Sequence, residues 1–224
     1  MLGVVAGVCT GYVVQAERPP AALPSLSQPV LAQAKGKGPE PLSAAVDRKV
    51  KTEGDLRKLL LTAPKGASDR DSGLFEARWM SLEQYASEFT FPSEAVALLV
   101  EQQYRRGARV AWHEDGDRFV EIRLLQFRDE KRYGYGDSGA EAAVHDSVAW
   151  AEEETGNPGK AIAGSPAGRY FVDDRPEVED GQRTYKARAH AWRGDIALEI
   201  WIADSRPVSE KKIRDVAQRQ WERL

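Results

Sequence analysis

The residues able to do chemistry are few and scattered. Three histidines, His113, His145 and His190, share no metal-ligand spacing with one another or with the single cysteine, Cys9, so the sequence predicts no metal site. His113 and His190 sit in or beside segments that read as strands, near Trp112 and Trp192, and this placement lets them approach each other across a sheet; His145 follows Glu141 by four on a helix, the spacing of an exposed pair. Serine chemistry lacks a Gly-x-Ser-x-Gly elbow to hold a nucleophile on a strained turn. The best acidic pair is Glu121 and Glu199, expected on the solvated face of a sheet opposite its aliphatic side. No catalytic residue, metal or cofactor is predicted, and the chain is not expected to be an enzyme.

Two short motifs invite a sharper reading than their context supports. Gly134-Tyr135-Gly136-Asp137-Ser138-Gly139 matches the dinucleotide fingerprint. That fingerprint needs a parallel βαβ unit, whereas the preceding strand here belongs to a hairpin and ends several residues earlier, at Phe127. Arg193-Gly194-Asp195 matches an adhesion tripeptide but reads first as a hairpin tip, where Gly-Asp supplies the turn. More informative are the aromatic residues Phe119 and Phe127, on the outer side of one strand, with Trp201 at the equivalent side of another. Left uncovered, they make an apolar patch of the kind that marks a ligand or partner surface. Phe119, Phe127, Trp201, Glu121 and Glu199 are therefore the candidate binding residues.

Positioning these groups falls to an α+β arrangement. Ser81 with Gln84 three later is a capping box ahead of a short helix. A second helix follows Pro92, with Val96, Leu99 and Val100 as its buried stripe and Gly107 as its terminator. Ala108 to His113 and Arg118 to Phe127 read as strands around Asp115-Gly116, and Val120, Ile122 and Leu124 share one face. A helix over Ala140 to Glu153 and strands at about 168–172, 183–193 and 196–203 come next. The last helix, Ser209 to Arg223, buries Ile213, Val216, Ala217 and Leu224. The expected fold is a mostly antiparallel sheet of about five strands with helices packed on it. Within it, Gly116-Asp117 and Gly194-Asp195 each precede Glu-Ile-x-aliphatic at the same spacing, a weak internal repeat that pairs Val120 with Leu198, Ile122 with Ile200 and Leu124 with Ile202. Either a duplication with a site between the halves, or two hairpins independently packed under helices, accounts for it.

Composition divides the 224 residues into parts with different solvents. Met1 to Ala16 carry no charge. The run is shorter than the roughly 20 residues a spanning helix needs and lacks the basic residues that precede a signal sequence, so it reads as a membrane segment completed upstream, with a weak signal peptide as the alternative. Lipidation at Cys9 fits badly with Ala6-Gly7-Val8 ahead of it. From Glu17 to Val50 stand six of the twelve prolines, and Arg18, Lys35, Lys37, Arg48 and Lys49 outnumber Glu17, Glu40 and Asp47. This stretch, net +2, reads as a disordered, semi-rigid stalk. Since the whole chain is −3, residues 51–224 carry −5 and offer no basic footprint for nucleic acid. Eighteen of the nineteen aromatic residues lie from Phe75 onward, so the globular domain, 51–224, is expected to have its core from about residue 75. Asp55 to Leu61 is expected to form a short helix docking on that core, closed by Pro64.

The order of parts, from the apolar run through the Pro-rich stretch to Gly54-Asp55-Leu56-Arg57-Lys58-Leu59-Leu60-Leu61 with Pro64 and Gly66, then Leu124-Leu125-Gln126-Phe127, resembles a family of uncharacterised actinobacterial single-pass membrane or secreted proteins. More loosely, the order of helices and hairpins is similar to the extracytoplasmic sensor domains of actinobacterial receptor kinases and related lipoproteins. The resemblance implies a location outside the cytoplasmic membrane and no catalytic motif. The expected function is a membrane-tethered extracytoplasmic binding or protein-interaction domain, with a secreted form and a structural cell-envelope role as alternatives. Its expected partners are the cytoplasmic membrane, through the N-terminal segment, and an envelope protein or small ligand.

Overall fold

Eight strands, all paired antiparallel, form the frame of the protein in a computed structural model that describes residues 54–69, 73–114, 116–128 and 139–224. The apolar run 1–16, the Pro-rich stretch 17–50 and the glycine-rich run 134–138 lie outside the described residues. The strands are β1 (Arg78–Met80), β2 (Tyr104–Glu114), β3 (Arg118–Phe127), β4 (Lys160–Ala161), β5 (Arg169–Val172), β6 (Glu177–Glu179), β7 (Gln182–Arg193) and β8 (Ile196–Asp204). Their order is β1-β2-β3-β8-β7-β5-β4, with β6 paired to β7. The α+β class and antiparallel sheet are as expected, but there are eight strands rather than about five. The unpredicted β1, β4 and β6 are two or three residues long, too short to show a period.

Four helices pack on this sheet among the described residues: α1 (Leu82–Ala86), α2 (Pro92–Glu101), α3 (Gly139–Thr155) and α4 (Glu210–Trp221). Ser81 closes the predicted capping box on α1, its hydroxyl accepting from the Gln84 amide at 3.1 Å while the Gln84 side chain accepts from the Ser81 amide at 2.9 Å. Helix α2 ends earlier than expected. Gln103, at φ 62°, takes the left-handed position, and Gly107 lies inside β2, where a Cβ would stand 2.5 Å from the Tyr104 hydroxyl. Val100 faces solvent, and Ala95 with Leu99 supplies the buried stripe.

The two faces of the sheet differ in chemistry. One presents Val110, Trp112, Val120, Ile122, Leu124, Leu198, Ile200 and Ile202 to α4, whose Ile213, Val216, Ala217 and Trp221 complete the main apolar core with Leu224. This core reaches back well before residue 75. A single 3-10 turn, Leu56–Leu59, capped by Asp55, buries Leu56, and Leu60 and Leu61 follow it into the core. The Gln220 side chain holds the segment there, accepting from the Leu61 amide and donating to the Leu59 carbonyl, each at 2.9 Å. The opposite face lies under α1, α2 and α3 and carries the charged residues. A smaller apolar core of Met80, Tyr85, Leu99, Leu125, Phe127, Ala140 and Val144 closes one end of it.

Candidate functional site

Strand alternation places two cross-strand rows of polar and aromatic side chains on the second face. The first runs Arg109, Arg123, Glu199, His190 and Arg169 across β2, β3, β8, β7 and β5. The next runs Ala111, Glu121, Trp201, Arg188 and Phe171 over the same strands. Both candidate carboxylates therefore share one face, as the repeat requires, but they are not solvated. Glu121 is 5% and Glu199 6% exposed. Period-two alternation says which side chains share a face and nothing about what covers it, and here helices do.

Around Arg123 the charges form a network. Its guanidinium donates to Glu121 at 2.7 Å, stands 3.8 Å from Glu199 and contacts Glu88, which arrives from the turn after α1. Arg109 lies 3.4 Å from Glu88 and 3.7 Å from Glu121. The Tyr85 hydroxyl donates to Glu199 at 2.7 Å. Burial pushes the Glu199 carboxyl above the usual carboxylate range, against the opposing pull of Arg123 and Tyr85. Burial raises Glu88 as well, again opposed by Arg123 and Arg109. Burial alone would ease the proton off Arg123, yet its hydrogen bond to Glu121 and the surrounding carboxylates prevail and hold the guanidinium charged.

A second cluster sits under α3. Arg188, wholly buried, donates to Asp173 at 3.0 and 3.2 Å and contacts Glu154, with its guanidinium 4.9 Å from the Trp150 ring centre and 5.4 Å from that of Trp201. Such an arginine beside two indoles combines ion pairing with cation–π attraction. Trp150 and Trp201 pack 6.2 Å apart. His190 meets Trp201 edge-on at 5.8 Å, and neither of its ring nitrogens has a hydrogen-bond partner. Burial, reinforced by Arg188, drives the imidazole down to about 3, so it is neutral at physiological pH.

Beyond these rows the face opens. His113, Phe119, Ala203 and Lys186 form a third row, all half-buried, and the His113 and Phe119 rings meet at a tilt of 51° with centres 5.2 Å apart. With Trp201, also half-buried and in the adjoining row, they form a shelf of partly exposed aromatic rings.

Of the sequence candidates, Phe119, Glu121, Glu199 and Trp201 share this region. Phe127 does not. It lies eight residues along β3 from Phe119, about 26 Å at strand rise, and is buried 5.9 Å from Tyr104 in the smaller core. No common pocket around Phe119, Phe127 and Trp201 exists. The anticipated approach of His113 and His190 also fails, because β3 and β8 stand between their strands, a separation of about 14 Å at the usual strand spacing. His145 packs edge-on against Trp192 at 5.2 Å. Arg193-Gly194-Asp195 is a hairpin tip with Gly194 at φ 61°, and the Asp195 carboxylate is buried, accepting from the Gln126 side chain at 2.8 Å. A shallow concavity of about 550 Å³, lined by none of the residues of the Arg123 and Arg188 clusters, lies beside edge strand β1, between Trp79, Met80, Gln84, Tyr104 and Arg106.

Reading the sequence missed Arg109, Arg123, Arg188, Glu88 and Tyr85. Arg109 and Arg188 each follow an alanine, Ala108 and Ala187, at nearly the same distance before the Gly-Asp of their hairpins, which was the one available signal for them. No group of three or more His, Cys, Asp or Glu suited to hold a metal ion occurs among the described residues, and no described helix is long and apolar enough to cross a membrane.

No protein-family model matches this sequence, and no curated protein matches it. Among solved structures, the chain is similar to the extracellular domain of PknH from Mycobacterium tuberculosis, at 11% identity and a TM-score of 0.39, over 84% of this chain and 100% of that one.

Proposed function

We propose that this protein is a membrane-tethered extracytoplasmic binding module that takes up its ligand or partner on the charged face of the sheet, over the shelf formed by His113, Phe119 and Trp201. The observation that carries the reading is the burial of Arg123, Glu121 and Glu199 on a face where aliphatic residues would cost less. Desolvating charges is expensive, and replacing such groups by well-packed apolar ones is often neutral or stabilising. Charge retained there beside a half-open aromatic floor fits recognition. The tether rests on the uncharged run 1–16 and the Pro-rich stretch 17–50. An acidic balance in residues 51–224 disfavours nucleic acid as partner. A non-enzymatic role accords with the separation of His113 from His190.

The test is hydrogen–deuterium exchange of the full chain in micelles, alone and with fragment-sized carboxylates, amines, sugars and neutral aromatics. Protection of the strands bearing Phe119, Glu121 and Trp201 by at least one class supports the reading. A panel that protects nothing there, with a protein that still assembles into the envelope, would favour a structural role instead.

A further inference from the structure

Arg109 and Arg123 are direct cross-strand partners, side by side on one face. Like charges so placed repel unless anions bridge them. Two carboxylates of the network are fixed in the sheet: Glu121 on β3, bonded to Arg123 at 2.7 Å and 3.7 Å from Arg109, and Glu199 on β8, 3.8 Å from Arg123 and held by Tyr85 at 2.7 Å. The third differs. Glu88 lies off the sheet, after α1, and its side chain remains 31% exposed. Its two oxygens are divided between Nη1 of Arg109 and Nη2 of Arg123, while the buried Nε of each arginine has no hydrogen-bond partner. Arg123 is itself only 9% exposed.

From this geometry we propose that Glu88 is a built-in plug in a carboxylate-binding site, and that the module's ligand is a carboxylate bearing an apolar group. The inference rests on the binding reading above and names its ligand class. An incoming carboxylate takes the position of Glu88 between the two guanidinium groups and makes the same charge-assisted contacts to Nη1 of Arg109 and Nη2 of Arg123. The exchange conserves charge, and Glu88 returns to the water that it already partly meets. Phe89 and Phe91, at 43% and 65% exposure, follow Glu88 in the same connection and supply apolar surface for the remainder of the ligand.

The experiment titrates phenylacetate, N-acetylphenylalanine and neutral phenylacetamide into the full chain and its Glu88→Gln variant. Glu88→Gln is expected to bind phenylacetate at least tenfold more tightly than the wild type, with phenylacetamide bound by neither. Preference for N-acetylphenylalanine identifies a peptide C-terminus as the source of the carboxylate, and preference for phenylacetate a free acid. Equal phenylacetate affinity in both proteins, or equal binding of the amide, overturns the proposal. If amines, sugars or neutral aromatics protect the shelf while carboxylates do not, the binding reading stands and this one falls. Should Glu88→Gln fail to fold, the wild type still decides. Saturating phenylacetate must then move the Glu88 side-chain carboxyl carbon resonance toward that of a solvated glutamate and leave Glu121 and Glu199 in place; an unmoved Glu88 refutes the plug.

Discussion

Ile122 and Ile200 are direct partners across the seam between β3 and β8, and both are fully buried. Because Val120 then pairs with Ile202 and Leu124 with Leu198, the register has a local two-fold relation centred on this pair. The same relation carries Glu121 to Glu199, Arg123 to Trp201 and Arg109 to Arg188. Each outer arginine is met by a glutamate from a helical segment that precedes its hairpin, Glu88 for Arg109 and Glu154 for Arg188.

The seam is the place where the two hairpins stand or fall together. Ile122→Ala and Ile200→Ala are each expected to cost about 3 kcal/mol by lost burial and an unfilled cavity. Their double variant should be non-additive by at least about 0.5 kcal/mol, since the side chains share one space. Denaturant unfolding of the four proteins checks this, and strict additivity would deny the contact.

Arg188 combines ion pairing with stacking, so its two conservative features are separable. Arg188→Met removes the charge facing Asp173 and Glu154 and is expected to destabilise by about 3 kcal/mol. Arg188→Lys keeps the charge but loses the planar stack on Trp150 and Trp201, at about 1 kcal/mol. Thermal melts with Trp fluorescence read both, and a lysine variant as unstable as the methionine one would assign the cost to stacking alone.

The neutral, buried His190 links stability to pH. Its folded value, about 3, lies below the ordinary 6.5, so the unfolded chain binds the extra proton first. Its contribution is complete above pH 6.5 and is lost as pH falls toward 3, at up to about 1.4 kcal/mol per pH unit. Glu199, raised by burial, slopes oppositely above its ordinary 4.5, where stability declines as pH rises. The measurement is therefore the difference between wild type and His190→Phe. The variant should lose the acid-side slope, and parallel curves for the two proteins between pH 4 and 6.5 would contradict the assignment.

Gln220 ties residues 59–61 to α4 through two hydrogen bonds to main-chain groups. Gln220→Leu leaves the buried Leu61 amide without its partner, a loss of about 2 kcal/mol. Amide exchange at Leu61 should accelerate well before global unfolding. Unchanged protection there would show that Leu56 and Leu60 hold the segment unaided.

Much of this fold is legible locally. The capping box at Ser81, the alternation of Val120, Ile122 and Leu124, and the stripe of Ile213, Val216, Ala217 and Leu224 each bury the residues their period selects. Gly107 misled because glycine serves both a helix end and a close backbone approach, and Gln103 took the left-handed position instead. The count of aromatic residues set the start of the core too late, whereas the expected docking of Asp55 to Leu61 is seen, as a 3-10 turn that buries Leu56 ahead of Leu60 and Leu61 and is bonded to Gln220, some 160 residues away.

For the site, the alternation legible in the sequence puts Glu121 and Glu199 each on the face opposite the aliphatic side of its own strand, because a two-residue period is a property of a strand alone. Whether that face is wet, which arginines meet there, and that Glu88 arrives from another element to stand between Arg109 and Arg123 were decided only by tertiary structure. Burial and charge pairing depend on the helices laid over the sheet and on the registry of β2, β3, β8 and β7. Those are long-range contacts, and no local spacing encodes them.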